Sequence, residues 1–213
     1  MALLSVKNIS HSFDYPLFEN INFELNASES MSIVGISGSG KSTLLHICAS
    51  LLKPKSGEVF IDNKNLYSLK NNDLIDVRCK DIGIIFQSHF LFKGFDAREN
   101  IEIANILADT KFDDELLEEL KISHILKQKV GDISGGQQQR ISIARVLSKK
   151  PKIIFADEPT GNLDLETASE VTNILMNYIK NNNASLFIVT HDLGLAKKCT
   201  KAYKLENFNL SSF

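Results

Sequence analysis

A nine-residue segment near the start of the chain carries the clearest chemical signal in the sequence. It follows a short apolar run, 31–34, and precedes an amphipathic run, 44–52. The pattern therefore predicts a strand, a turn and a helix in that order. Such a turn presents backbone N–H groups and the positive end of the helix dipole to an anion. The segment, called the phosphate loop below, consists of Gly35, Ile36, Ser37, Gly38, Ser39, Gly40, Lys41, Ser42 and Thr43.

The residue types in the phosphate loop indicate which anion it binds. Its glycines let the backbone approach a ligand without an intervening Cβ atom. Lys41 can reach the β- and γ-phosphate oxygens of a nucleotide, and the Ser42 hydroxyl can bind Mg²⁺. An ordinary glycine-rich turn is the alternative. The full pattern G-x-x-x-x-G-K-[ST], placed between a strand and a helix, favours a nucleotide-phosphate site.

Polar side chains follow three apolar runs that we expect to be buried strands. In open α/β sheets, ligands bind beyond the carboxyl ends of the strands. These side chains are therefore candidates for one common site. They are Gln87 after the run 82–86, Asp157 and Glu158 after the run 153–156, and His191 after the run 186–190.

The chemistry of these strand-end residues suggests a role for each. Asp157 suits Mg²⁺ coordination beside Ser42, as the acidic partner of a phosphate loop. Glu158 suits the polarisation of an attacking water. By themselves, Gln87 could be a strand-end hydrogen bonder and His191 an ordinary core histidine. Their shared position favours a γ-phosphate contact for His191.

Two helix starts and two aromatic residues give weaker signals. Ser134 is a natural N-cap, and the two glycines after it allow close approach to an anion, although a capped helix needs no ligand. The segment 162–164 caps a helix predicted at 165–180. Phe13 and Tyr15 lie in a predicted turn, where an exposed ring could stack on adenine or merely cover the edge of a sheet.

The order of elements predicts an α/β protein with one domain over residues 1–213. Alternating strands at 3–9 and 21–25 suggest an N-terminal antiparallel β subdomain. From 88 to 132 the pattern is helical and carries no strand signal, which predicts a helical subdomain inserted into the α/β body. The core then comprises 1–87 and 133–213.

Composition excludes several classes of protein. The net charge is −2, so no basic surface indicates nucleic acid as a partner. No apolar run approaches the roughly 20 residues of a membrane span, and the N-terminus lacks the features of a signal peptide. The three cysteines, Cys48, Cys79 and Cys199, form no C-x-x-C motif. We therefore expect a cytoplasmic protein.

The motifs occur in one order along nearly the whole chain. The segment S-G-G-Q at 134–137, called the signature below, is followed by Q-Q-R. The phosphate loop and Gln87 precede the signature, and I-I-F-A-D-E at 153–158, N-L-D at 162–164 and His191 follow it. By these motifs in this order, the chain resembles the ATP-binding cassette (ABC) ATPases. Other phosphate-loop families lack the signature.

The resemblance implies a nucleotide site that two copies of the chain share. The family fold is a P-loop NTPase cassette, and two cassettes pair head to tail with each ATP between them. Within one copy, the resemblance implies that the phosphate loop holds the phosphates. Glu158 would orient or deprotonate water, and His191 would contact the γ-phosphate. Mg²⁺ would lie among Ser42, Gln87 and Asp157.

The resemblance also assigns residues that act across the pair. Ser134, Gly136 and Gln137 would contact the ATP bound to the other copy, and Asp164 would help to align the two sites. Phe13 matches the family's adenine-stacking aromatic by its place after the first strand. ATP would then join the two copies, and hydrolysis would loosen them.

The segment A-D-E-P-T-G-N-L-D at 156–164 resembles a bacterial subgroup for lipoprotein release (LolD-like), macrolide export (MacB-like) and cell division (FtsE-like). The segment 86–91, with Phe95, looks most like the lipoprotein-release members. The resemblance implies an ATPase on the cytoplasmic face of the inner membrane that contacts the membrane only through integral permease subunits. Macrolide export or division control is the alternative. Soluble DNA-repair cassettes usually carry a second cassette or a long coiled-coil insertion, and this chain has neither.

Overall fold

A computed structural model describes residues 2–161 and 163–212. Within these ranges, ten strands form two sheets. The smaller sheet is antiparallel, in the order β2-β1-β4-β5, and the larger has the order β10-β9-β3-β8-β7-β6. The strands are β1 (Ala2–Ser12), β2 (Pro16–Asn26), β3 (Ser30–Val34), β4 (Ser56–Ile61), β5 (Lys64–Asn65), β6 (Ile82–Ile85), β7 (Ile153–Asp157), β8 (Ser185–Val189), β9 (Lys201–Glu206) and β10 (Asn209–Ser212).

Seven α-helices connect or cover these strands within the same ranges. A π-helical turn at Val77–Asp81 and two short 3₁₀ turns complete the chain. None of the helices in the described part of the chain is long and apolar enough to cross a membrane. The helices are α1 (Lys41–Cys48), α2 (Asn71–Asp76), α3 (Ala97–Ala108), α4 (Asp114–Glu119), α5 (Gly135–Leu147), α6 (Leu165–Asn181) and α7 (Leu193–Lys197).

The central strands of the larger sheet are buried on both faces. Strands β3 and β8 are buried along their whole lengths, as expected of parallel strands covered by helices. Alternate residues of β7 belong to different hydrophobic clusters: Ile153 and Phe155 to one, Ile154 and Ala156 to the other. Because alternate side chains point to opposite faces, one cluster lies on each face of the sheet.

The parallel pairing brings the predicted strand-end residues to one edge. Strand β3 pairs with β8, β8 with β7, and β7 with β6, all in parallel. The phosphate loop follows β3. Asp157 is the last residue of β7, and the other predicted polar residues come after the ends of β6, β7 and β8. The carboxyl ends of four neighbouring strands therefore form one site.

The segment between β6 and α5 is helical, as the sequence predicts. Helix α3 begins at a capping box in which Asp96 accepts a hydrogen bond from Glu99 N while the Glu99 carboxylate accepts one from Asp96 N. Such a reciprocal pair satisfies two backbone donors. The apolar residues Ile101, Ala104 and Leu107 recur at helical spacing in the sequence. The first two are buried, whereas Leu107 is 58% exposed and lines a groove described below.

Three local features of the structure were not anticipated from the sequence. The tail after residue 205 forms a hairpin, because β10 pairs antiparallel with β9. The helix predicted at 44–52 spans Lys41–Cys48 and leaves Leu51 exposed. It starts at the end of the phosphate loop and stops where Ser50 adopts a positive φ of 63°. Helix α2 has no buried residue, so the sequence has no apolar periodicity that would predict it.

Candidate functional site

A cavity of about 440 Å³ opens at the carboxyl edge of the larger sheet. It brings together most of the predicted phosphate-loop residues and all the predicted strand-end residues, with both predicted aromatic candidates at its wall. Leu17 of β2 also contributes. The lining residues are Phe13, Tyr15, Leu17, Gly35, Ser37, Gly38, Gly40, Lys41, Ser42, Thr43, Gln87, Asp157, Glu158 and His191.

Two predicted loop residues, Ile36 and Ser39, do not line the cavity. Ile36 is 79% exposed. The Ser39 hydroxyl is buried without a hydrogen-bond partner in the described part of the chain. Gly38 and Gly40 adopt φ values of 80° and 95°, a region that L side chains rarely occupy.

Lys41 folds back over the phosphate loop. Its Nζ atom donates hydrogen bonds of 2.9 Å to the carbonyl oxygens of both Gly35 and Ile36. Burial lowers the pKa of Lys41, although the charges of Glu158 and Asp157 oppose that shift. The loop thus holds a cation beside the N-terminus of α1, and a helix N-terminus attracts anions.

Ser42 and Asp157 form the second element of the site. The Ser42 hydroxyl donates a 3.1 Å hydrogen bond to Oδ1 of Asp157. Burial raises the pKa of Asp157, and the neighbouring Glu158 charge adds to this effect. A half-buried carboxylate beside a hydroxyl is a donor set of hard oxygen atoms, which Mg²⁺ prefers. The residues present therefore fit the metal that the sequence predicts.

Glu158 is held by three hydrogen bonds at the end of β7. Its Oε2 accepts from the Thr190 hydroxyl at 2.9 Å, and its Oε1 lies 2.9 Å from His191 N and 2.8 Å from His191 Nδ1. Its backbone has a positive φ of 47°, an uncommon conformation for a non-glycine residue. Such strain recurs at functional sites. The carboxylate is thereby fixed in orientation beside the cavity.

The signature lies apart from this cavity. Ser134, Gly136 and Gln137 line a separate cavity of about 380 Å³ together with Asp164. Ser134 and Gln137 form a capping box at the start of α5, and Asp164 caps α6 by accepting from Thr167 N at 2.9 Å. Asn162 lies outside the described residues. One chain therefore presents the signature as a second, distinct surface.

Two supporting residues were missed by sequence reasoning. Thr190 orients Glu158 from the end of β8, as described above. Gln139 is buried in α5, where its Nε2 donates to the Pro159 carbonyl at 2.8 Å and its Oε1 lies 2.5 Å from Nδ1 of His89. The only sequence signal for Gln139 was a polar residue type within a predicted helix, and its burial became evident only from the structure.

Comparison with known proteins assigns the chain to a family. The family model described as ABC transporter matches residues 18–161. The chain is 41% identical to "Lipoprotein-releasing system ATP-binding protein LolD" of Rickettsia bellii over 96% of each protein. It is 37% identical to the protein of the same name from Syntrophotalea carbinolica, over 92% and 91%.

A solved structure agrees with the sequence comparisons. It is the dimeric post-hydrolysis state of the ATP-binding cassette MJ0796 bound to ADP and Pi, which is 32% identical to this chain. It superposes with a TM-score of 0.87 over 98% of each chain. The two-sheet fold with its helices is therefore that of such a cassette. The chain belongs to the ABC transporter family, as one of its ATP-hydrolysing cassettes.

Proposed function

We propose that this chain is the ATPase subunit of a bacterial system that releases lipoproteins from the inner membrane. The observation that carries the proposal is the single cavity in which the phosphate loop, Ser42–Asp157 and the Glu158 cluster meet. The cargo is inferred from the names of the similar proteins. Macrolide export and division control, the alternatives, are not favoured by those names.

In the proposed complex, the phosphate loop binds the triphosphate of ATP. Lys41 would exchange its two carbonyl partners for phosphate oxygens, which are stronger acceptors for a cation. The exposed Gln87 would complete the donor set of Ser42 and Asp157 for Mg²⁺. When bound, Mg²⁺ neutralises the charge that develops on the phosphate oxygens.

Glu158 would orient the attacking water and accept its proton. Phosphoryl transfer depends mainly on positioning and charge stabilisation, and the hydrogen bonds from Thr190 and His191 supply the positioning. As an ionised carboxylate, Glu158 would only accept hydrogen bonds, so Nδ1 of His191 would be the donor in the bond between them. His191 would therefore hold Glu158 through this nitrogen and approach the γ-phosphate with the other side of its ring.

The signature would complete the nucleotide site of a second copy, with the two copies arranged head to tail. Support comes from the separation of the two cavities within one chain and from the dimeric state of the similar cassette. Ser134, Gly136 and Gln137 lie where α5 begins, and the helix N-terminus attracts anions. Asp164 shares their cavity, which suits a role in aligning the two sites.

A groove beside the helical region would receive a cytoplasmic segment of the permease. Its cavity of about 330 Å³ lies between the core and α3, and it is lined by the exposed apolar residues Leu51, Phe92 and Leu107. Arg78 and Lys149 also line it, so an apolar segment with an acidic flank would match the groove. We assign the segment 88–132 as a helical subdomain that carries this interface.

The proposed docking groove also suggests where the chain is located in the cell. A cassette that docks in this way would sit at the cytoplasmic face of the inner membrane and would contact the membrane only through its permease. The negative net charge of the chain gives no reason to add nucleic acid to its partners.

Reconstitution with the permease tests the proposal. In proteoliposomes that contain the permease and an acylated protein, the native chain should release that protein only with ATP. Leu107→Gln should reduce release about tenfold, because its side chain lines the groove. Ile106→Gln is the matched control: it is adjacent, on the same helix and 78% exposed, yet outside the groove. Equal loss in both variants, or release without ATP, would contradict the proposal.

A further inference from the structure

His11 is a buried histidine that the proposed chemistry does not use. It lies near the end of β1, is 6% exposed, and neither ring nitrogen has a hydrogen-bond partner among the described residues. Burial lowers its pKa, and the charge of Lys55 lowers it further. A buried polar ring without hydrogen bonds is costly, so its position calls for another explanation.

The contacts of His11 are with two aromatic rings. The Phe13 ring meets it edge to face, with 5.0 Å between centroids and 85° between planes. The Phe18 ring is inclined by 30° to the His11 ring, with 6.3 Å between centroids. Both distances fall within the range of attractive aromatic pairs. His11 therefore joins Phe13 and Phe18 in one series of ring contacts, called the His11 stack below.

The inner end of the His11 stack supports the phosphate loop. Phe18 is fully buried, and a Cβ atom at Gly40 would come within 3.1 Å of its ring. Gly40 is the residue from which α1 begins. The outer end of the stack, Phe13, lines the mouth of the nucleotide cavity and is 58% exposed. The stack thus runs from the cavity mouth to the loop.

We propose that His11 is a positioning residue that holds Phe13 for stacking on the base of the nucleotide, at a fixed distance from the phosphate loop. The inference rests on the proposed function, because it requires ATP in the cavity. Tyr15 lines the same cavity and is 61% exposed, but no other aromatic ring of the described residues packs on it. Phe13 is therefore the preorganised ring, and preorganisation lowers the cost of binding.

Substitution of His11 separates base recognition from phosphate binding. His11→Leu fills the space and removes the unpartnered ring nitrogens, so the variant should fold. Calorimetry should show ATP binding weakened about fivefold, while binding of inorganic tripolyphosphate changes less than twofold, because stacking involves only the base. His11→Phe, which restores a ring, should recover the ATP affinity of the native chain.

A fluorescence measurement gives an independent readout. The chain contains no tryptophan, so Phe13→Trp introduces a single reporter. Saturating ATP should change its emission in the presence of His11, and this change should be largely lost when His11→Leu is added. Tyr15→Trp is the matched reporter at the same cavity mouth and should respond equally with or without His11→Leu.

The outcomes distinguish this inference from the proposed function. Equal weakening of ATP and tripolyphosphate by His11→Leu would mean that His11 only stabilises the fold, and unchanged ATP binding would mean that it has no role. Either result overturns the inference. If the native chain bound neither ATP nor tripolyphosphate, the proposed function itself would fail, and the inference with it.

Discussion

The nucleotide cavity and the signature differ in how their polar groups are satisfied. In the cavity, residues from different elements bond to one another: Ser42 of α1 to Asp157 of β7, and Thr190 and His191 to Glu158. At the signature, the side chains of Ser134 and Gln137 bond within their own capping box. The first region is already organised within one chain. The second is a local helix start, which in the proposed complex would contact the nucleotide bound to a second copy.

One buried side chain connects the two regions. Gln139 lies on the signature helix α5, and it bonds to the carbonyl of Pro159, directly after Glu158. Its oxygen meets His89, two residues after Gln87. Arg145 of the same helix donates to the carbonyl oxygens of His89 and Phe90. A movement of α5 would therefore reach both the Gln87 segment and the Glu158 turn, although the two surfaces are separate.

The largest effect is expected from Glu158→Gln. The amide keeps the size of the side chain but cannot take a proton from water, so phosphate release should fall at least about a thousandfold. ATP affinity should change little, because the phosphate loop is untouched. Phosphate release and calorimetry measure the two quantities. Glu118→Gln, on the exposed surface of α4, is the control. More than a tenth of native turnover in Glu158→Gln would exclude the proposed role.

A smaller effect, on stability, is expected from Asp157→Asn. Burial raises the pKa of Asp157 in the folded chain, so its ionised form destabilises the fold at neutral pH. The amide removes this penalty, and without nucleotide the melting temperature should rise by about 2 °C. The penalty is absent below the pKa that Asp157 has in the unfolded chain. It grows as the pH rises and is complete above the pKa that Asp157 has in the folded chain. The gain should therefore shrink as the pH is lowered toward about 4.

The effect of Asp157→Asn on the melting temperature should reverse sign when Mg²⁺-ATP is present. Mg²⁺ and ATP should raise the melting temperature of the native chain more than that of Asp157→Asn, because a ligand stabilises the state that binds it. Thermal scans of the native chain and of Asp157→Asn, each with and without Mg²⁺-ATP, measure the melting temperatures. A variant that is less stable without ligand would show that the Asp157 carboxylate supports the fold rather than the metal.

Much of the cavity could be predicted from sequence because its residues follow short apolar runs. A strand such as Ile153–Asp157 is apolar until its last residue, and parallel strands place their ends together. The positions of Asp157, Glu158 and His191 at one edge follow from these two facts. The pairing of His191 with Glu158 does not follow, because the sequence reveals neither the positive φ of Glu158 nor the direction of its side chain.

The supporting contacts could not be predicted because they join residues distant in the chain. Gln139 and His89 are 50 residues apart, and neither has a spacing that would indicate the other. Phe13 and His11 are close in sequence, but the inner ring of their stack, Phe18, returns on β2 after the turn. Leu107 fitted the helical period of α3 and is exposed, because the groove leaves that position uncovered.

The most direct test of a nucleotide site shared by two copies is the mass of the chain with Mg²⁺-ATP, measured by light scattering. Glu158→Gln should change from monomer to dimer, because ATP is bound and not hydrolysed. Adding Ser134→Arg should leave a monomer that still binds one ATP, whereas adding Ser123→Arg, at an exposed turn, should leave the dimer intact. A Glu158→Gln/Ser134→Arg variant that dimerises like Glu158→Gln would contradict the account.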